Sequence, residues 1–113
     1  MKSITLVIGE GFPLMSLSLI TEPLRVANRE SLKPAFRWRI LSVDGEVPKS
    51  SSGYSVAIDG GLDDEPTDAV IVLASYAPDR MSSAKVLRWL KQRARSGCLM
   101  GCVDTGALLL SEA

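Results

Sequence analysis

The sequence predicts an α/β domain, a mostly parallel sheet with helices on both faces, and three observations carry that expectation. Short and nearly continuous apolar runs, Ile4 to Ile8, Ala69 to Leu73 and Cys98 to Val103, are those of strands covered on both sides. Segments with apolar residues at three- and four-residue spacing alternate with them, as helices do between parallel strands. Gly- and Asp-containing turns such as Gly9-Glu10-Gly11 and Asp104-Thr105-Gly106 close the runs.

Taken in order, Ile4-Thr5-Leu6-Val7-Ile8 is a buried strand. Leu14, Leu17, Ile20, Leu24 and Ala27 then mark one face of a helix from Leu14 to Asn28, in which Pro23 removes a hydrogen bond to Leu19 and predicts a kink, or a restart near Thr21. Phe36 to Val43 alternates Phe36, Trp38 and Ile40 with Arg37 and Arg39 before turning wholly apolar, the pattern of a strand covered on both faces over part of its length; Trp38 is expected half-exposed or at an interface. A loop through Ser50-Ser51-Ser52-Gly53 leads to a small strand, Tyr54 to Ile58, and the acidic stretch Asp63 to Glu65 precedes the core strand Ala69 to Leu73. A helix from about Ser82 to Ser96 puts Val86, Leu87, Leu90 and Ala94 inside and Arg88, Lys91 and Arg95 outside, stopped by Gly97; this basic side can meet a partner or the acidic loop at Asp63 to Glu65, although most such rows are solvated faces. After the strand Cys98 to Val103 a further helix begins at Ala107 and has barely begun at Ala113, so the domain, residues 1–113, is expected to be incomplete at that end.

Composition narrows the chemistry. One domain fits in 113 residues, and thirteen Lys and Arg against thirteen Asp and Glu give no basic excess with which this chain would grip nucleic acid by itself. The absence of histidine excludes imidazole bases, Ser-His-Asp triads and His-liganded zinc within the chain. Cys98 and Cys102, roughly 13 Å apart if both lie in one strand, cannot bridge each other and read as buried, reduced thiols of a cytoplasmic protein. No stretch has the length of a signal peptide or membrane span, and no cofactor or metal is implied.

In open parallel sheets ligands bind beyond the carboxyl ends of the strands, which singles out Gly9 to Leu14, Ala74 to Pro78 and Asp104 to Gly106. The residues expected to line a site there are Phe12, Met15, Ser75, Tyr76, Asp104 and Thr105. For Phe12 and Met15 packing at the helix start leads over ligand contact; for Tyr76 a surface turn needs no ligand. Gly101-Cys102-Val103-Asp104-Thr105-Gly106-Ala107 has the make-up of a nucleophile elbow, a strand, one polar residue on a tight turn, and a helix start built from small residues. Asp104 at its apex has two readings, a cap for the helix beginning at Thr105, which leads, and a contact for a cationic ligand.

Gly11-Phe12-x-Leu14-Met15, Glu22-Pro23-Leu24-Arg25-Val26-Ala27-Asn28, Ser51-Ser52-Gly53 and the elbow segment together resemble the N-terminal domain of AraC-family transcriptional regulators, which is related to the class I glutamine amidotransferase and PfpI-type superfamily. The resemblance runs over the entire chain and implies a flavodoxin-like fold. It implies a cytoplasmic, dimeric sensor for a small effector, in several such regulators a quaternary amine or amino acid, with DNA bound only through a helix-turn-helix domain that this chain lacks. Enzymes of the wider superfamily place cysteine where Asp104 stands; their acidic residue aligns with Ser16, their Gly-Gly with Ala74-Ser75, and their histidine beyond Ala113. These departures imply a catalytically inactive sensor with no catalytic residues. The alternatives are a PfpI-like hydrolase or glyoxalase-like enzyme using Asp104 or Cys102, and a dimerisation module without a ligand.

Overall fold

The computed structural model describes residues 1–74, 81 and 83–113. Its elements are β1 (Lys2–Ile8), α1 (Leu14–Glu30), β2 (Phe36–Ser42), β3 (Gly60–Gly61), β4 (Ala69–Ala74), α2 (Ala84–Arg95), β5 (Leu99–Asp104) and α3 (Gly106–Glu112). Every paired strand is parallel, in the order β3-β2-β1-β4-β5. The predicted α/β class is therefore the observed one.

Alternation along each strand divides the core into two halves. Leu6 and Ile8 of β1 and Leu73 of β4 pack with Phe12 and Leu17 under α1, together with Trp38 and Ile40 of β2. Val7, Leu41, Val70, Val72 and Ala74 face the opposite way, onto Val86, Trp89 and Leu90 of α2 and Leu109 of α3. Helices on both faces follow directly from apolar side chains on both faces, because a sheet so patterned must be covered twice. Trp38 is half-buried in the first half, as its alternation with two arginines predicts.

Three local expectations are corrected. First, of the two readings of Pro23 the restart near Thr21 falls, since α1 runs through Pro23 as one helix; Pro23 and Leu19 are exposed, so the carbonyl that Pro23 leaves without a donor is on the solvent side. Second, Tyr54 to Ile58 forms no strand. Val56 and Ile58 instead lie against the core beneath α1, and the sheet gains only the two-residue β3 beside β2. Third, Cys102 is exposed and only Cys98 is partly buried, lying just before β5, where its thiol donates to the Thr67 carbonyl at 3.0 Å. Both thiols are free.

The ends of α1 and α2 are fixed by polar side chains. Asn28 donates to the Phe36 carbonyl at 2.7 Å and accepts from the Ala35 and Phe36 amides at 2.9 Å, so it ties the close of α1 to the start of β2. Ser83 caps α2 by accepting from the Val86 amide at 3.2 Å.

Candidate functional site

Successive connections leave β1 toward β2 and β4 toward β5, on opposite sides, so the strand order switches direction between β1 and β4. At such a switch point the loops diverge and leave a crevice beyond the carboxyl ends of the strands. The segments bordering it here are residues 9–13, residues 49–54 and the turn at 104–106.

The first two are stitched together by the backbone. The Gly11 amide donates to the Lys49 carbonyl at 2.8 Å, and the Ser51 amide to the Phe12 carbonyl at 2.9 Å. Glu10 accepts from the Lys49 amide at 3.2 Å, which leaves its exposed carboxylate beside the loop. Ser50 is buried and accepts from the Tyr54 amide at 3.1 Å while sharing a 3.0 Å hydrogen bond with Ser52. The serine run is thus a self-bonded turn holding one wall of the crevice. Gly9 is required at its foot, since a Cβ there would come within 2.8 Å of the Met81 side chain.

The third segment is an elbow. Asp104 ends β5 opposite Ala74 with φ at 55°, the one non-glycine residue with positive φ among those described, and its side chain is exposed. The Thr105 amide donates to the Ala74 carbonyl at 3.2 Å, and α3 starts at Gly106. A Cβ on Gly106 would lie 2.5 Å from the Val72 carbonyl oxygen and 3.4 Å from Cys102 Cβ, so only glycine lets the helix approach the sheet this closely. Strand, left-handed apex and close-packed helix start are the geometry that presents one side chain at the top of a sheet.

That geometry corrects the leading reading of Asp104. The N-cap of α3 is Thr105, in the right-handed helical region with no side-chain capping bond, and Asp104 precedes it. A capping residue sits in the extended region so that its oxygen can turn back onto the N2 or N3 amide; a left-handed Asp104 does not. Among the described residues its carboxylate has no hydrogen bond or ion pair, which leaves it open to a ligand.

The remaining expected residues are placed apart from it. Phe12 is wholly buried in the core beneath α1. Met15 is 75% exposed and lines a groove on the outer side of α1 with Leu19, Pro23 and Val26. Thr105 adjoins Asp104 in the elbow, and Ser75 and Tyr76 lie outside the described residues. No cluster of three His, Cys, Asp or Glu able to hold a metal ion occurs among the described residues. Sequence reasoning missed Glu10 and the Ser50 turn as parts of the crevice wall; the Gly9-Glu10-Gly11 turn and the serine run were visible, but their backbone stitching joins segments some forty residues apart.

No family model matches the chain. It is 38% identical over 104 residues to the HTH-type transcriptional regulator CdhR of Pseudomonas aeruginosa, covering 91% of this chain and 31% of that protein. It is 35% identical over 113 residues to GbdR of the same species, covering 99% and 31%, and 34% identical to GlxA of Rhizobium meliloti, covering 90% and 32%. All three are HTH-type transcriptional regulators, and the chain spans about a third of their length. Among solved structures it superposes on an AraC family transcriptional regulator from Pseudomonas putida with a TM-score of 0.89 at 22% identity, over 100% of this chain and 71% of that one. It superposes on Drosophila melanogaster DJ-1beta with a TM-score of 0.79 at 18% identity, over 98% and 59%. The fold is that of the DJ-1/PfpI superfamily, and the sequence homologues are HTH-type regulators.

Proposed function

We propose that this chain is the effector-sensing and dimerising part of a cytoplasmic AraC-type transcriptional regulator, acting without catalysis, with DNA bound by a separate helix-turn-helix domain. The observation that carries the reading is the elbow: the position at which this fold displays one side chain holds an exposed carboxylate with no partner among the described residues. A carboxylate there is a weak nucleophile compared with a thiolate, and a good counter-ion for a cation. The homology to transcriptional regulators over nearly the full chain supports the sensor over the enzyme.

In this reading Asp104 and Thr105, with Ser75 and Tyr76 from the segment after β4, bind a small cationic effector such as a quaternary amine or an amino acid. Phe12 supports the adjoining loop from the core, and Met15 belongs to the outer face of α1. Binding favours one arrangement of the two subunits over another, and that differential affinity is what a DNA-binding domain would read. The outer face of α1 is the proposed dimer contact. Among the described residues no helix is long and apolar enough to cross a membrane.

The test is a thermal-shift screen of the wild type and Asp104→Asn with carnitine, glycine betaine and the common amino acids. A binder present at a hundred times its Kd stabilises by about 2.7 kcal/mol. The expected result is at least one compound that raises Tm in the wild type and does so much less in Asp104→Asn, whose shape is nearly unchanged. The proposal is overturned if no compound acts, if Asp104→Asn responds equally, or if the wild type turns over amide or glyoxal substrates and Cys102→Ala abolishes it.

A further inference from the structure

The foot of the crevice and the approach to helix α2 meet through one side chain. Gly9 follows β1 and roots the turn that borders the crevice, its carbonyl accepting from the Phe12 amide at 3.1 Å. Gly9 is buried, and a Cβ on it would lie 2.8 Å from Met81 Cγ, 3.1 Å from Met81 Sδ and 3.3 Å from Val43 Cγ2. Met81 is 2% exposed and belongs to the buried cluster to which α2 contributes Val86, Trp89 and Leu90. Two residues further on, Ser83 caps α2. The nearer atom, Cγ, is placed by the backbone and a single torsion, so it cannot retreat as the tip of a long side chain can, and a close-packed interior offers it no free volume. A displacement of the turn at Gly9 is therefore passed to the chain at Met81 and on to the helix start.

Helix α2 also carries its own position marker. The Trp89 indole donates to the Asp63 carbonyl at 2.7 Å, and Arg39 of β2 holds Asp63 at 2.7 Å. Trp89 lies six residues beyond Ser83, about 9 Å along the axis. A shift or tilt of the helix start thus strains a hydrogen bond whose other end is fixed to the sheet. We propose that Met81 couples the crevice to α2: occupancy that displaces the Gly9 turn moves Met81, and Met81 moves α2 against the sheet. The trigger rests on the effector-sensing role; the coupling is a property of the packing and is tested without an effector.

In a proton–nitrogen correlation spectrum of the full chain each tryptophan gives one indole cross-peak. Trp38, level with Ile4 and packed on the α1 side of the sheet, is the internal control, and Trp38→Phe assigns the two peaks. Gly9→Ala sets a methyl group against Met81 and stands in for pressure from the crevice. It is expected to move the Trp89 peak by more than its linewidth and to leave the Trp38 peak in place. In a Met81→Ala background the same change is expected to leave the Trp89 peak where Met81→Ala alone puts it; in a Val43→Ala background it still moves the peak. General loosening of the core would make the two backgrounds alike. Circular dichroism shows whether each variant is folded; if Gly9→Ala is not, Met81→Leu, of similar volume but branched at Cγ, is expected to move the Gly9 amide and Trp89 indole peaks together. An unmoved Trp89 peak, an equal shift with and without Met81, a shift lost in the Val43→Ala background, or a Trp38 peak that moves as far would overturn the proposal. A failed effector screen, by contrast, overturns the sensing role and leaves this coupling standing.

Discussion

Gly106 sets the elbow, and its neighbours show why two glycines in one stretch of chain behave differently. A methyl group at Gly106 would meet the Val72 carbonyl oxygen at 2.5 Å, a backbone atom in the middle of a paired strand that cannot move aside. At Gly101 the nearest contact of a new Cβ is the Ile71 side chain at 3.6 Å, ordinary van der Waals distance. Gly106→Ala is therefore expected to cost about 1–3 kcal/mol. Gly101→Ala should be neutral within about 1 kcal/mol, because a strand alanine loses less chain entropy than glycine. Urea unfolding of the two variants checks this; equal losses would mean that α3 does not press on β4 as described. The small residue after the turn was legible in Asp104-Thr105-Gly106, and so was the prominence of Asp104. Its role was not, since an aspartate before a helix reads as a cap until its φ of 55° is known. Phe12 is buried in the core, as its packing reading expects, whereas Met15, read the same way, is 75% exposed, because which side of a helix start meets the core depends on the layer beneath it.

At the scale of elements, β2 shows how much an alternating pattern conveys. Trp38 and Ile40 on one face and Arg37 and Arg39 on the other are as the alternation predicts, and the second face carries charge because the acidic segment before β4 crosses it. The sequence showed both charged partners but not their pairing, since the basic helix α2 was a second candidate for the same acids. Tyr54 to Ile58 failed as a strand for a related reason. Alternation fits a segment that lays Val56 and Ile58 on a core as well as one that joins a ladder, and the ladder bonds here begin only where the Asp59 amide donates to the Ile40 carbonyl at 2.7 Å. The Arg39 guanidinium, hydrogen-bonded to Asp63, holds the Asp63 carboxyl below its usual 3.8 and is itself raised by that same bond. Because the folded-state value of Asp63 is the lower one, its stabilisation is present above about pH 4 and is lost as pH falls through that lower value. The side chain of Asp63 is 43% exposed, so solvent screening keeps the effect below about 1 kcal/mol. Asp63→Asn should flatten the acid limb of a stability-against-pH curve as pH falls below the usual carboxylate value of 3.8; an unchanged slope would remove the pair from the account.

At the scale of the molecule, helix α1 carries two apolar faces where one suffices for a surface helix. Leu14, Leu17, Ile20, Leu24 and Ala27, the stripe legible in the sequence, are buried or half-buried against the sheet. Met15, Leu19, Pro23 and Val26 form a second stripe within a sector of roughly 80°, and it faces outward as a groove with Met15 75%, Leu19 67% and Val26 38% exposed. The sequence displayed these residues, but a helix buried all round and a helix with a second docking face share one pattern until the surrounding layers are known. A stripe running along the axis of one helix can meet its own copy about a two-fold axis, Met15 near Val26 and Leu19 near Pro23, which is the self-complementarity that a symmetric dimer requires. The zero formal net charge removes the long-range repulsion that would oppose such pairing. Leu19→Glu places a charge at the middle of that contact and, being on an exposed face, leaves the fold intact. Light scattering is expected to show a dimer for the wild type and a monomer for Leu19→Glu, with equal helical content by circular dichroism. A wild-type monomer, or a Leu19→Glu chain that still dimerises, would remove the outer face of α1 as a contact between copies of this chain.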